Sequence, residues 1–243
     1  MKNALSVNEN SGREARLSRS RREKRPRMTQ SERTALSDFR MFEAATTLIC
    51  EKGAHRTTLS EIGRLAGYSR GLASHRFGSK DGLIKELITF YNHNWIAELD
   101  KYAEGRTGLS AFLAANTALE HFLLEQPAYL EAMYTLWYEA MTTHADIRRS
   151  LAEQTIAQRT DVAKWILEAI SEGTVKKEIS PSGFAVQYCS FVFGTVYQIL
   201  VDRSSIDIRA TFKDYRMFTL ALIVSERGHS ELTTIVLPSL ATF

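Results

Sequence analysis

The chain has 243 residues, of which 44% are hydrophobic, and carries a formal net charge of +3 at pH 7. This composition is ordinary for a globular chain of one or two domains. The sequence shows no apolar run of the about 18 residues that a membrane span needs, and its N-terminus has no apolar signal segment. Cys50 and Cys189 lack metal-ligand partners at a suitable spacing. We therefore expect a cytoplasmic protein with buried thiols and no membrane partner.

The charge is distributed unevenly along the chain. Residues 1–30 carry nine Lys and Arg against three Asp and Glu, a net charge of +6. Residues 31–85 carry nine against six, a net +3, whereas residues 86–243 carry thirteen against nineteen, a net −6. Such a pattern is typical of a polyanion-binding head on a solvated body. We expect residues 1–30 to be a disordered basic arm. The alternative, an Arg- and Ser-rich transit peptide, is opposed by the three glutamates.

The first predicted helix covers residues 31–52 and is ended by Gly53. Phe39, Phe42, Ala45 and Ile49 recur on one side of this helix, which predicts that all four face the core.

The segment that follows predicts two short helices around a tight turn. Thr58 and Glu61 have the spacing of a capping box, in which each side chain satisfies a backbone N–H of the other residue. Gly67 is suited to the C-terminal cap of that helix, and Ser69 is suited to cap the next one, which we expect to end at Phe77. Two short helices joined by a few residues that include Gly are the signature of a helix-turn-helix.

The run AGYSRGLASHRFGSKDGL resembles the DNA-binding domain of the TetR family of transcriptional repressors. The positions that carry the resemblance are Gly67, Phe77, Ser79 and Lys80, and the similarity covers about residues 33–90. Ser74 stands where the family usually has an aromatic residue. The alternative is a pair of structural helices inside another all-α protein.

The second helix of the pair is the predicted recognition helix. A helix of this kind enters the major groove, and its N-terminal and outward residues contact base edges. We therefore expect Arg70, Gly71 and His75 to contact bases. The resemblance and their places at helix N-termini or on the outer face assign four residues to the DNA phosphates: Thr58, Ser74, Arg76 and Lys80.

The rest of the chain predicts only helices, over residues 79–102, 109–124, 128–141, 146–172, 181–201 and 207–227. The expected fold is all-α with about nine helices. It consists of the arm (1–30), a three-helix helix-turn-helix DNA-binding domain (31–85), a larger helical ligand-binding and dimerisation domain (86–228) and a C-terminal tail (229–243). The tail is short and apolar, and it packs either on the body or on a partner chain.

The last two predicted helices are apolar over more than one face, so they must be covered on most sides. In proteins that resemble this one, such helices form a four-helix dimer interface. We expect six residues to contribute to it: Tyr188, Phe191, Gly194, Thr195, Phe218 and Leu222.

The body is also rich in aromatic residues, which suits a mostly apolar small-molecule cavity with a few polar groups. The resemblance implies an effector pocket there. Seven residues are its predicted lining: Trp95, Phe122, His121, Tyr134, Trp137, Tyr138 and Gln187.

The sequence contains no phosphate-binding loop, zinc-peptidase motif or nucleophile elbow, so we expect no enzymatic activity, cofactor or metal. The expected partners are double-stranded DNA, a second copy of the chain and a small apolar or aromatic effector. The predicted function is that of a dimeric repressor released from a palindromic operator by this effector. The alternative is a DNA-binding architectural protein whose helical body serves only to dimerise.

Overall fold

A computed structural model describes residues 28–143, 145–202, 204 and 206–235. Over this part of the chain the protein consists of ten α-helices without a strand, so the all-α prediction is confirmed. The helices are α1 (Gln30–Arg56), α2 (Leu59–Leu65), α3 (Arg70–Phe77), α4 (Lys80–Ala103), α5 (Gly108–Glu125), α6 (Pro127–Thr143), α7 (Ala145–Ser171), α8 (Pro181–Val201), α9 (Ile208–Ile223) and α10 (Glu226–Ile235).

The predicted arm lies almost entirely outside the described residues, as does the end of the C-terminal tail after residue 235. The chain divides into two compact units, residues 1–39 and 40–243. In the described part of the first unit, Thr29 and Glu32 form a capping box at the start of α1, with Thr29 N donating to Glu32 Oε2 at 2.7 Å. The division of the remaining chain near residue 85 stays a prediction.

The helix-turn-helix is built by the caps that the sequence predicts. Glu61 N donates to the Thr58 hydroxyl at 3.3 Å, and Thr58 N donates to Glu61 Oε2 at 3.1 Å, which completes the capping box of α2. Ser69 accepts from the third backbone N–H of α3, and Ser79 does the same for α4. Gly67 has a φ of 80°, the left-handed conformation that lets the chain turn between α2 and α3.

The predicted end of the first helix is a break inside α1. Gly53 has φ 80° and ψ 159°, after which one more turn reaches Arg56. A Cβ at this position would collide with the carboxylate of Glu139 on α6, whose Oε2 accepts a hydrogen bond from His55 N at 2.8 Å. Glycine is therefore favoured here by the left-handed backbone conformation, whereas the Glu139 carboxylate is the end of a flexible side chain that could move away from a Cβ.

Within residues 40–243, the helix-turn-helix shares a core with the first part of the body. Met41, Ile62 and Leu83 belong to the same buried cluster as Leu136 and Leu151. A second cluster joins α5, α7, α8 and α9. The helices α1 to α4 and the helices α6 and α7 thus contribute to one buried cluster.

Two features of the fold differ from the prediction. Phe39 was expected to face the core but is 47% exposed, because the buried face of α1 falls on residues such as Met41 and Phe42.

The predicted ninth helix ends at Ile223 rather than near residue 227. Val224 pairs with Val175 in an isolated β-bridge, and Ser225 N donates to Thr174 O at 3.0 Å. The Ser225 hydroxyl then accepts from Gly228 N at 3.0 Å. These contacts end α9 and allow the unpredicted helix α10 to begin.

Within the described ranges, α8 is the one helix that is long and apolar enough to cross a membrane by length and composition, with a mean hydropathy of 1.5 over its most apolar window. Ser, Gly and Gln interrupt the apolar residues of α8, so the sequence shows no continuous apolar run of this length. The absence of a membrane partner therefore stays a prediction.

Candidate DNA-binding surface and ligand cavity

The recognition helix α3 has one buried side and one open side. Ala73 and Phe77, four residues apart, are buried, whereas Arg70, Gly71 and His75 are exposed. The three predicted base-contact residues are thus exposed to solvent, as a residue that reaches base edges in the major groove must be. Their contact with bases stays a prediction.

Arg76 and Lys80, two of the four predicted phosphate contacts, already have partners within the subunit. Arg76 forms a two-point ion pair with Glu86 on α4, with N–O distances of 3.1 and 2.9 Å, and its guanidinium lies 5.0 Å from the centre of the Phe77 ring. Lys80 Nζ donates to the carbonyls of Ala54 and His55 at 3.1 and 3.0 Å. Both cations therefore hold helices of the reading head together, and phosphate contact would have to coexist with these bonds.

The other two predicted phosphate contacts are the hydroxyl residues Thr58 and Ser74. The Thr58 hydroxyl is occupied by its capping box with Glu61, while Ser74 is partly buried. The sequence predicted Glu61 as the partner of Thr58 but did not predict Glu86 as the partner of Arg76. These two residues are ten positions apart and lie on different helices, so no helical periodicity connects them.

A cavity of about 140 Å³ lies among α4, α5, α6, α7 and α8. Four of the predicted lining residues border it: Trp95, Phe122, Tyr134 and Trp137. An apolar cavity of about 150 Å³ is large enough to hold benzene, so this cavity suits a compact ligand.

The other three predicted lining residues lie elsewhere. His121 Nδ1 is 2.9 Å from Oε1 of the buried Glu98, Tyr138 is exposed beside Tyr197, and Gln187 is exposed on α8. The error has a simple cause, since adjacent helical residues point about 100° apart. The residues next to His121 and Gln187 in sequence, Phe122 and Tyr188, border the cavity instead.

Two polar groups of the cavity lining stand out. Trp137 Nε1 is buried and donates to no acceptor among the described residues. Asp161 is the one residue with a formal charge among the described lining residues, and it is exposed to solvent at the edge of the lining. Desolvation raises the pKa of its carboxyl, although the nearby ammonium of Lys164 acts in the opposite direction.

Two tyrosines connect the cavity to the first helix of the DNA-binding head. Thr46 Oγ1 donates to Phe42 O, so it accepts the bond from the Tyr91 hydroxyl at 2.6 Å. The Tyr129 hydroxyl donates to Glu43 Oε1, also at 2.6 Å. Burial raises the pKa of both phenols, and at Tyr129 the charge of Glu43 adds to the effect. Both therefore remain protonated donors at neutral pH.

The predicted interface residues divide into two groups. Tyr188 and Thr195 are buried within the subunit, and Phe191 stacks on Tyr215 with ring centres 3.7 Å apart, so these three contribute mainly to the internal packing of α8 on α9. Phe218 and Leu222 are 71% and 70% exposed.

The exposed apolar surface of α8 and α9 is hereafter called the α8–α9 face. A Cβ at Gly194 would meet no atom of the subunit within 4 Å, so the α8 part of this face is open there. Its members are Val186, Gly194, Tyr197, Val201, Met217, Phe218 and Leu222.

The chain is similar in sequence to known bacterial regulators. Residues 42–87 match the family model described as bacterial regulatory proteins, tetR family. A stretch of 99 residues is 32% identical to the HTH-type transcriptional regulator BetI of Rhizobium meliloti (strain 1021), and it covers 39% of this chain and 49% of that protein. The chain thus spans about half the length of this relative.

Two similar solved structures share the fold. SmeT, the repressor of the Stenotrophomonas maltophilia multidrug efflux pump SmeDEF, has a TM-score of 0.63 and 20% identity, covering 78% of this chain and 91% of its own. SmeT has also been solved with triclosan. A structure from Saccharomonospora viridis in complex with choline has a TM-score of 0.67 and 15% identity, covering 79% of this chain and 100% of its own.

Proposed function

Because the chain belongs to the TetR family of bacterial regulatory proteins, we propose that it is a dimeric transcriptional repressor, released from a palindromic operator by a small ligand. The named relatives are regulators, so the prediction that the chain is not an enzyme is confirmed. The observation that carries the proposal is the direct hydrogen bonding between the cavity lining and the first helix of the DNA-binding head.

Operator binding is supported by the open side of α3. Arg70 and His75 are exposed on the helix that enters the major groove in proteins with this motif. An arginine can bond both O6 and N7 of guanine, which discriminates against a wrong base by about 1–3 kcal/mol. A twofold dimer would present two such helices, so the operator would be a palindrome with matched half-sites.

Dimerisation is supported by the α8–α9 face. Exposed apolar patches of this kind mark interaction surfaces, and Gly194 leaves room for a second helix to approach closely. Dimerisation would also explain why α8 is long and apolar enough to cross a membrane. A helix between two subunits must be apolar both on the side that faces its own core and on the side that faces the partner.

Ligand control is supported by the cavity and its connections. Solved relatives of the same fold hold triclosan and choline, and the cavity in this chain is lined mostly by apolar and aromatic side chains. A ligand that displaces Tyr91 or Tyr129 would disturb their bonds to Thr46 and Glu43 on α1. Because α1 packs on the helices that read DNA, the ligand can favour one arrangement of the head over another.

The test has two steps. Selection of bound fragments from random duplex DNA should return a palindromic site, and a thermal-shift screen should find a compound that stabilises the protein by mass action. That compound should then release the selected duplex. A palindrome without any releasing compound would favour the alternative of an architectural DNA-binding protein, and selection without any preferred sequence would refute the proposal.

A further inference from the structure

Accepting the proposed function, we propose that the ligand of the cavity is a compact organic cation, such as a quaternary ammonium, held by tryptophan rings and by the carboxylate of Asp161. The inference concerns the charge of the ligand. The fold does not decide this charge, because relatives of the same fold were solved with a chlorinated phenol and with a quaternary ammonium.

The first argument is the placement of the tryptophans. The chain has three tryptophans, and all three border the cavity: Trp95 on α4, Trp137 on α6 and Trp165 on α7. They approach the cavity from three different helices, so they can surround a ligand on several sides. The face of an indole ring attracts a cation more strongly than any other side-chain ring, and several aromatic rings around one space are the usual means of binding a quaternary ammonium.

The second argument is the sign of the charge in the lining. No Lys, Arg or His is among the described residues that line the cavity, and Asp161 is the acidic residue there. The Asp161 carboxylate makes no hydrogen bond or salt bridge within the described chain. An anionic ligand would find no cationic partner and would meet repulsion from Asp161, whereas a cation would compensate the carboxylate.

Two cations, Arg159 and Lys164, lie near Asp161 in sequence without lining the cavity. Lys164 is on the outer side of α7, where it is exposed and pairs with Glu168 at 3.9 Å. Burial raises the pKa of the Cys189 thiol, and the nearby positive charge of Arg159 acts in the opposite direction. Neither forms an ion pair with Asp161, so the carboxylate remains available to a ligand.

The experiment uses a matched pair of probes, choline and 3,3-dimethylbutan-1-ol, which differ in the replacement of N⁺ by carbon. Tryptophan fluorescence of the full-length protein reports binding, because every tryptophan of the chain borders the cavity. Sodium chloride at equal concentration corrects for salt. The variants are Asp161→Asn, which preserves shape, and Glu153→Gln, which removes a charge from an exposed position of α7 outside the lining.

The wild-type protein should bind choline at least about tenfold more tightly than the neutral alcohol, and Asp161→Asn should reduce choline affinity by about tenfold, equivalent to 1.4 kcal/mol. The same variant should leave the affinity for the neutral probe unchanged, and Glu153→Gln should alter neither. Equal affinity for the two probes, equal losses for both in Asp161→Asn, or no binding of choline would each overturn the inference.

The proposed function is tested separately from the charge of the ligand. If an uncharged compound binds the cavity and releases the selected operator while choline does not bind, the cation inference is overturned and the ligand-controlled repressor stands. If the protein selects no DNA sequence, the proposed function fails whatever the cavity binds.

Discussion

Replacing Gly194 by tryptophan tests the proposed dimer without disturbing the core of the subunit. A side chain at this position has open space, because a Cβ there would meet no atom of the subunit within 4 Å. Gly194 lies among the exposed apolar residues of the α8–α9 face, between Val186 and Val201 on the same helix. The substitution should therefore affect the contact between subunits and little else.

The expected magnitudes differ between the monomer and the dimer. In the monomer, glycine is the poorer helix former, so the substitution should raise the free energy of unfolding slightly, by about 0.5 kcal/mol. In the dimer, overpacking a close contact costs about 1–3 kcal/mol, and twofold symmetry places two copies in one interface. The combined cost of about 2–6 kcal/mol would weaken the dimer by about 30-fold to 10⁴-fold.

Sedimentation equilibrium over a concentration series measures the dimer dissociation constant, and circular dichroism confirms that Gly194→Trp remains helical. Glu153→Trp, at an exposed position of α7 outside the α8–α9 face, is the control for adding an indole to the surface. A helical Gly194→Trp protein whose dimer dissociation constant equals that of the wild type would refute the assignment of the interface to this face.

Three further predictions concern single side chains. Arg70→Ala should relax base preference at one position of each half-site by about 1–3 kcal/mol in a duplex selection. Lys80→Ala should reduce the free energy of unfolding by about 1–3 kcal/mol, because its charged hydrogen bonds to Ala54 and His55 are lost. If Lys80 also contacts phosphate, the salt slope, which is the slope of the logarithm of the DNA-binding constant against the logarithm of the salt concentration, should become shallower by about 1.8 for a dimer. Glu98→Gln should be destabilised at pH 7 in urea unfolding, with a difference from wild type that vanishes in acid.

The sign at Glu98 follows from its surroundings. Burial of its carboxyl opposes ionisation, but hydrogen bonds from Lys101 and His121 outweigh burial and lower the pKa of Glu98. A lowered folded-state pKa stabilises the fold above the unfolded value of about 4.3, and this stabilisation is lost as the pH falls through the folded-state pKa.

Each of these predictions has a result that contradicts it. An unchanged sequence preference in Arg70→Ala, with Arg64→Ala as the exposed basic control, would remove Arg70 from base reading. An unchanged salt slope in Lys80→Ala would leave this lysine a purely structural role. A constant stability difference between Glu98→Gln and wild type from pH 7 to pH 3 would exclude the proposed effect of the carboxylate.

Local sequence signals predicted most of the fold. The capping residues Thr58, Ser69 and Ser79 begin their helices as expected, because a cap depends on residues within one turn. The break at Gly53 was predicted for the same reason, although its close approach to Glu139 was not. The bounds of α9 were wrong because they depend on a bridge between Val175 and Val224, which are far apart in sequence.

The site was harder to predict than the fold. Trp95, Phe122, Tyr134 and Trp137 border the cavity, and their contact with a ligand stays a prediction. The hydrogen bond from Tyr129 to Glu43 could not be predicted, because it joins residues 86 positions apart and leaves no periodic signal.

The packing of α8 on α9 is a further feature that the sequence did not predict. Tyr188 belongs to an apolar helix whose core and surface sides look alike in sequence, so its burial within the subunit was not foreseen.

The most direct test of a ligand-controlled repressor is the affinity for the selected operator measured with and without a saturating ligand of the cavity, chosen because it quenches the tryptophan fluorescence. Coupling between two sites is typically worth about 1–3 kcal/mol, so the ligand should weaken operator binding about 5-fold to 150-fold. Linkage requires that the operator weaken ligand binding by the same factor. A ligand that fills the cavity while the operator affinity stays unchanged would contradict the account.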